Sequence, residues 1–436
     1  MFQKILATLD NSPYSDYGME AAISIGKAFN ATVTGCHVYA ARLHETRFMD
    51  MESGLPERYQ SEAILKRQRD IHESLISKGL GIISDSYLDR FEKSCQDAGV
   101  ACGRKNREGK NFAEILKETE EGSYDLVVMG NLGMGVVENS LIGSVCERVA
   151  RKARKDMLVI KSQILQPTVV GAPKSQIFEK IIIAIDGSPY SYWGLMVALS
   201  FKKAWGQVGT DLKSVPMSPQ IEAVAAFDPY FHQIAFKNIA DVLSDEAAKV
   251  FRFKEQEKLH DEIIDKGMAK LYQSYLDTAA KIAKVRGMEI KTTLLSGKPY
   301  NEILKHIQTT KPSLLILGRF GLHHVPASDM GSNAENLLRL APCSVFIGGR
   351  GFNPEEIIKT QTDVIPGDRI EFSPQWTDGA LKRLSKVPPF AKGMAKKAIE
   401  DYAREKGKSK ITDEVMDEAA GKLLPPSARK AMGIGE

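Results

Sequence analysis

The chain has 436 residues, 43% hydrophobic and 26% charged, and a net charge of +4 at pH 7; this is enough for two or three domains with real cores, and too balanced to point to nucleic acid or a membrane as partner. Its five cysteines, Cys36, Cys95, Cys102, Cys146 and Cys343, form no C-x-x-C pair, so reduced thiols are expected rather than a zinc site or a disulfide framework. The opening MFQKILATLD has no leader-like pattern and no apolar run nears the ~18 residues of a membrane helix, so a cytoplasmic protein is expected.

The first predicted strand is the apolar run Ile5–Leu9. It ends at Asp10 in an Asp-x-Ser-Pro turn, whose Ser caps and whose Pro starts a helix over Tyr14–Phe29. A second strand follows at Ala31–Val38, then a polar-rich helical stretch over about 56–98, expected to face solvent or a dimer partner. A buried strand at Leu126–Met129 runs into a glycine loop, a helix spans Ser144–Lys152, and Leu158–Lys161 closes the segment. Residues 162–176 carry Pro and Gly without periodicity and read as a linker.

The chain then repeats itself. FQKILATLDNSPYSDYG at 2–18 returns as FEKIIIAIDGSPYSYWG at 178–194, EGKNFAEILK at 108–117 as SGKPYNEILK at 296–305, and YDLVVMGNLGMG at 124–135 as PSLLILGRFGLH at 312–323. Three matches in one order mean a duplicated domain, 1–161 and 177–349. The second copy has strands at Ile181–Ile185, Ile221–Phe227, Leu314–Leu317 and Ser344–Ile347, a helix over Tyr190–Trp205 and a helical stretch over about 234–285. Alternating strands and helices imply an α/β fold with a parallel sheet in each copy. Residues 350–374 read as a second linker, and 375–436 as a small all-α domain with helices over Asp378–Lys386, Pro389–Lys406 and from Thr412.

The loop after the fourth strand reads Gly130-x2-Gly133-x9-Gly143-Ser144 in the first copy and Gly318-x2-Gly321-x9-Gly331-Ser332 in the second. Glycines there allow positive φ or close backbone approach to a ligand. The helix opened by each Gly-Ser offers free N–H groups and its dipole to a phosphate. Asp10 and Asp186 end strand one at the edge where open α/β sheets bind ligands; each either accepts from a ribose or an amino group, or only caps the helix. In the second loop Arg319 is placed to fork onto a phosphate. His323 and His324 have no Cys or carboxylate partner at ligand spacing, so no metal site is expected. No catalytic residues are assigned, because no nucleophile with a paired base is visible.

The K-I-[LI]-x-x-x-D opening, the G-x2-G-x9-G-[ST] loop and the closing apolar strand resemble the universal stress protein family, in its ATP-binding branch. The resemblance implies two five-stranded Rossmann-like domains of the adenine-nucleotide alpha hydrolase type, ATP or another adenine nucleotide as ligand, with Mg²⁺ as an option, and dimerisation through the last strand. In a tandem chain the two copies are expected to pair with each other, and a homodimer is a further option. It further implies that Asp10 and Val38 meet the adenine and ribose, and that Gly130, Gly133, Gly143, Ser144 and Val145 hold the phosphates. Its second set is Asp186, Gly318, Gly321, Gly331, Ser332 and Asn333, with Phe227 at the place of Val38.

W-x3-A-x2-R-L-x-K-V-P-x-F, IEDYAREKG and ITDEVMDEA, from Trp376, resemble the small helical domain ending the B subunit of light-independent protochlorophyllide reductase. No counterpart of its catalytic part is present, so the helices are expected to dock a protein partner. Three functions stay open at this level: a nucleotide-binding regulatory protein, a slow ATPase or adenylate-transferring enzyme, and a scaffold that binds no nucleotide.

Overall fold

The structure, a computed structural model, describes residues 1–135, 137, 139–161, 177–206, 218–229, 237–259, 265–324, 328–355, 357, 375–385, 396, 398–400, 402–403, 406 and 410–423. They fall into two compact units, 1–357 and 358–436.

In the first half of unit one the order is β1 (Lys4–Leu9), α1 (Pro13–Phe29), β2 (Thr32–Tyr39), α2 (Ala41–Met51), α3 (Glu62–Ala98), β3 (Cys102–Glu108), α4 (Asn111–Glu121), β4 (Leu126–Gly130), α5 (Ser144–Lys152) and β5 (Asp156–Ile160). The second half has β6 (Lys180–Ala184), α6 (Pro189–Gly206), β7 (Gln220–Phe227), α7 (Asp245–Val250), α8 (Phe253–Leu259), α9 (Asp265–Val285), β8 (Lys291–Ser296), α10 (Pro299–Thr310), β9 (Leu314–Gly318), α11 (Ser332–Leu340) and β10 (Ser344–Gly348). The linker 162–176 lies outside the described residues.

β1, β4 and β5 are apolar runs covered on both faces, which is why they read as continuous rather than alternating segments. α1 starts where expected: Ser12 Oγ accepts from Ser15 N at 3.1 Å, Pro13 occupies the first turn, and Asn30 closes the helix in the left-handed region. Each half contributes five parallel strands, and the halves join antiparallel, Val159 opposite Val345 and Leu158 opposite Phe346. The result is one ten-stranded sheet, ordered β3-β2-β1-β4-β5-β10-β9-β6-β7-β8. Phe2 packs across this seam against Phe201 and Phe346, with ring centroids 6.1 and 6.4 Å apart.

Under the seam lies Asp156, fully buried. Its carboxylate accepts from Trp193 Nε1 at 3.0 Å and from Gly349 N at 2.8 Å. Burial, opposed by Gly349 N–H, the Arg350 guanidinium and Trp193, pushes this carboxyl up from 3.8 to about 6. A raised folded value means that its contribution to stability is full below the unfolded value and is lost as pH rises through about 6. The gap in melting temperature between wild type and Asp156→Asn is therefore expected to shift against wild type between pH 4 and 7, by several degrees. A gap constant with pH means that the carboxyl titrates in the fold as it does in the unfolded chain.

The start of the segment read as a second linker packs on unit one: Arg350 bonds Asp125, and Phe352 N donates to Pro189 O at 2.9 Å. In unit two, α12 (Asp378–Leu384) and α13 (Asp413–Leu423) pack Ala380, Leu384, Ile411, Val415 and Ala419 into a small core. Trp376 lies at its edge, its Nε1 donating to Glu400 at 2.9 Å. Beside these helices a two-residue β11 (Gln375–Trp376) pairs in parallel with β12 (Lys410–Ile411). Phe390 and Pro388 lie outside the described residues. Among the described residues no helix is long and apolar enough to cross a membrane.

Candidate functional site

At the carboxyl edge of β1, β2 and β4 the first half encloses a cavity of about 770 Å³. All seven first-copy residues singled out in the sequence line it: Asp10, Val38, Gly130, Gly133, Gly143, Ser144 and Val145. Asp10 ends β1 and is not the helix cap, a role taken by Ser12. Its Oδ1 accepts from Ser12 N at 3.0 Å, and its Oδ2 has no hydrogen-bond partner among the described residues.

The loop glycines work by close approach and not by positive φ, since none of Gly130, Gly133 and Gly143 has it. A Cβ on Gly130 would lie 2.6 Å from the Tyr14 carbonyl, and one on Gly133 2.6 Å from Asp10 Oδ2. Gly143, the N-cap of α5, leaves that nine-residue helix with no side-chain cap at its cavity end. The first-turn N–H groups therefore face the cavity with no side-chain acceptor, beside the positive end of the helix dipole. Among the described lining residues there is no Lys or Arg, so the attraction they offer an anion is that of backbone N–H groups. Asn131 on the wall keeps a buried Oδ1 without a partner.

α3 faces solvent over much of its first half, as expected, but not over its second. Its last turns pack on β2 through Leu88, Phe91 and Cys95, and its middle supplies Leu80, Ile83 and Tyr87 to the cavity wall. His37, which sequence reasoning missed, also lines the wall. Its Nδ1 lies 2.7 Å from Ser84 Oγ, which donates to Asn106 Oδ1, and the Tyr87 ring meets it edge-on at 5.0 Å. Ser84 thus receives the Nδ1 proton, leaving Nε2 as an acceptor. Burial, partly offset by Asp10, lowers the His37 pKa and keeps the ring neutral. Only its position one residue before Val38 could have drawn notice to it.

The second half differs. Register places Tyr39 opposite Glu108 and Phe227 opposite Ser296, and Gly109 N and Gly297 N donate to the carbonyls of Tyr39 and Phe227. Phe227 is therefore the counterpart of Tyr39, and Ala226 that of Val38, which corrects the sequence-based pairing. Asp186 Oδ1 accepts from Ser188 N and Oγ, and its Oδ2 from Leu322 N at 3.2 Å, so both oxygens are engaged. The Tyr275 ring stands against Gly187, where a Cβ would come within 2.7 Å of it. Ala225 replaces His37 here, so no imidazole holds this tyrosine back. Burial and the Asp186 charge raise the Tyr275 and Tyr272 hydroxyl pKa values. Gly318 approaches Ser191 N, Gly321 approaches Asp186, and Gly331 caps α11 ahead of Ser332 and Asn333, as in the first half.

Arg319 does not serve as a phosphate fork. It is 1% exposed, and its Nη1 donates to the carbonyls of Ala150 and Arg151 at 2.8 and 3.1 Å, at the end of α5 in the other half. Its length and its place beside the seam take it there. The Phe320 ring meets Tyr190 edge-on at 5.3 Å and lies tilted against His324 at 5.0 Å. Among the described residues no group of three His, Cys, Asp or Glu is placed to hold a metal.

The universal stress protein family model matches residues 1–161 and 232–347, and the model described as the proto-chlorophyllide reductase 57 kD subunit matches 376–419. β6, α6 and β7 precede the second match, yet they repeat β1, α1 and β2 in order and register. A universal stress protein of Methanocaldococcus jannaschii is 30% identical over 161 residues, 37% of this chain and 83% of its own. One of Bacillus subtilis is 24% identical over 161 residues, again 37% of this chain and all of its own. The solved universal stress protein of Archaeoglobus fulgidus is similar over 80% of this chain and 98% of its own, at 16% identity and a TM-score of 0.48.

Proposed function

This chain belongs to the universal stress protein family, and on that premise we propose that its first half binds an adenine nucleotide, ATP foremost, as a regulatory binding module. The observation that carries this is the uncapped N-terminus of α5, which faces a cavity of about 770 Å³ beside a carboxylate oxygen with no partner among the described residues. That volume suits a small-molecule ligand. The N–H groups of α5 and the loop take the phosphates. The Asp10 and His37 acceptors meet hydroxyl or amino donors of the nucleoside. Among the described lining residues Asp10 and Glu147 are the carboxylates, and Mg²⁺ would enter chiefly on the phosphates. A cytoplasmic setting, a homodimer and a protein partner for the C-terminal unit belong to the same reading.

Native mass spectrometry of the chain purified without added nucleotide tests it. The expected result is a mass increment of an adenine nucleotide that is lost from Asp10→Ala. An apo mass, together with no heat on titration with ATP, overturns the reading in favour of a scaffold.

A further inference from the structure

We propose that the second half anchors the phosphate-binding helix of the first: Arg319 holds the C-terminal end of α5, and the affinity of the first cleft for a phosphate-bearing ligand depends on it. This rests on the nucleotide reading of that cleft.

α5 has nine residues, about 13 Å of helix. A helix this short owes its position to tertiary contacts. Its last carbonyls have no partner within the helix. Those of Ala150 and Arg151 are taken by Arg319 Nη1, and that of Lys155, just beyond, by Nη2 at 3.5 Å. The guanidinium fork fixes direction as well as distance. A buried cation at the C-terminal end also reinforces the dipole whose positive end faces the cavity.

The arrangement is reciprocal in form only. Lys161, closing the first half, donates to Leu338, Arg339 and Ala341 at the end of α11. The two helices lie antiparallel, tied by Arg151 to Glu335 and by Arg339 to Glu147. The counterpart of Arg319 in the first half is Asn131, whose side chain donates to Leu141 O within its own loop. Arg319 thus serves the first cleft, while Lys161 serves the helix of the second.

Arg319 is a positioning residue, and the full chain tests this by calorimetric titration with ATP and with adenosine, which carries no phosphate. Arg319→Met is expected to weaken ATP by about tenfold while adenosine stays within about twofold. Arg319→Lys recovers part of the loss, and Lys161→Met leaves ATP within about twofold of wild type. The proposal is overturned by unchanged ATP affinity in Arg319→Met, by equal losses for ATP and adenosine, or by the same loss in Lys161→Met. Should Arg319→Met fail to fold, Arg319→Lys, which keeps the charge and loses the fork, carries the comparison with an expected loss of about threefold. Wild-type protein that binds neither ligand overturns the reading of the cleft itself, before any substitution is made.

Discussion

Replacing Gly133 by valine is expected to weaken ATP binding at least about a hundredfold, or about 2.7 kcal/mol. Even the first carbon of the new side chain would sit 2.6 Å from Asp10 Oδ2. The carboxylate cannot simply retreat, because its other oxygen holds Ser12 N, and Ser12 caps α1. Either Asp10 leaves the cavity wall or the loop moves away from α5, and both disrupt the proposed ligand contacts. The fold itself is expected to lose only about 1–3 kcal/mol, as for other overpacked sites. Gly54→Val supplies the control: a Cβ at Gly54 meets nothing within 4 Å, and Gly54 does not line the cavity. Titration calorimetry of the two variants, with melting curves alongside, checks this. Equal affinities for the two would show that the close approach at Gly133 is unrelated to binding.

The second large effect is asymmetry between the halves. Titration of the intact chain with ATP is expected to give one site, not two. Asp10→Ala is expected to lower affinity by at least about tenfold, and Asp186→Ala to leave it unchanged. The sequence makes these two aspartates equivalents; their surroundings do not. Asp10 keeps one oxygen without a partner among the described residues, whereas Leu322 N engages the corresponding oxygen of Asp186. Tyr275 stands against Gly187 beside the second aspartate, while Tyr87 packs on His37 at the wall of an open cavity. A stoichiometry of two, or matching losses for the two alanine variants, would sink the asymmetry. Gain of a second site in Tyr275→Ala would identify that ring as its cause.

Much of the fold was legible because repetition and burial leave marks in sequence. The Phe2–Gly18 and Phe178–Gly194 segments, the two glycine loops and the apolar strands buried on both faces carry their own patterns. β3 and β8 did not show. They are the edges of the ten-stranded sheet, and CGRKNRE is polar because Arg104 is tied to Asp85, Asp89 and Glu92 on α3. An edge strand whose outward side chains are ion-paired to the preceding helix has no local apolar signature. The same holds for His37 and Tyr87 on the cavity wall, which meet only when α3 folds back over β2.

By itself, then, the sequence determined the tandem α/β architecture, the place of each glycine loop at a strand end, and seven of the residues that converge on the first cleft. These depend on local pattern: strand period, capping and backbone spacing. Only the tertiary structure decided that the loop glycines serve close approach rather than positive φ, that Tyr275 occupies the place beside Asp186, and that Arg319 crosses the seam to the end of α5. Each of these is a contact between residues far apart in the chain, set by register and by antiparallel pairing of β5 with β10, and no local pattern encodes which distant neighbour a side chain will meet.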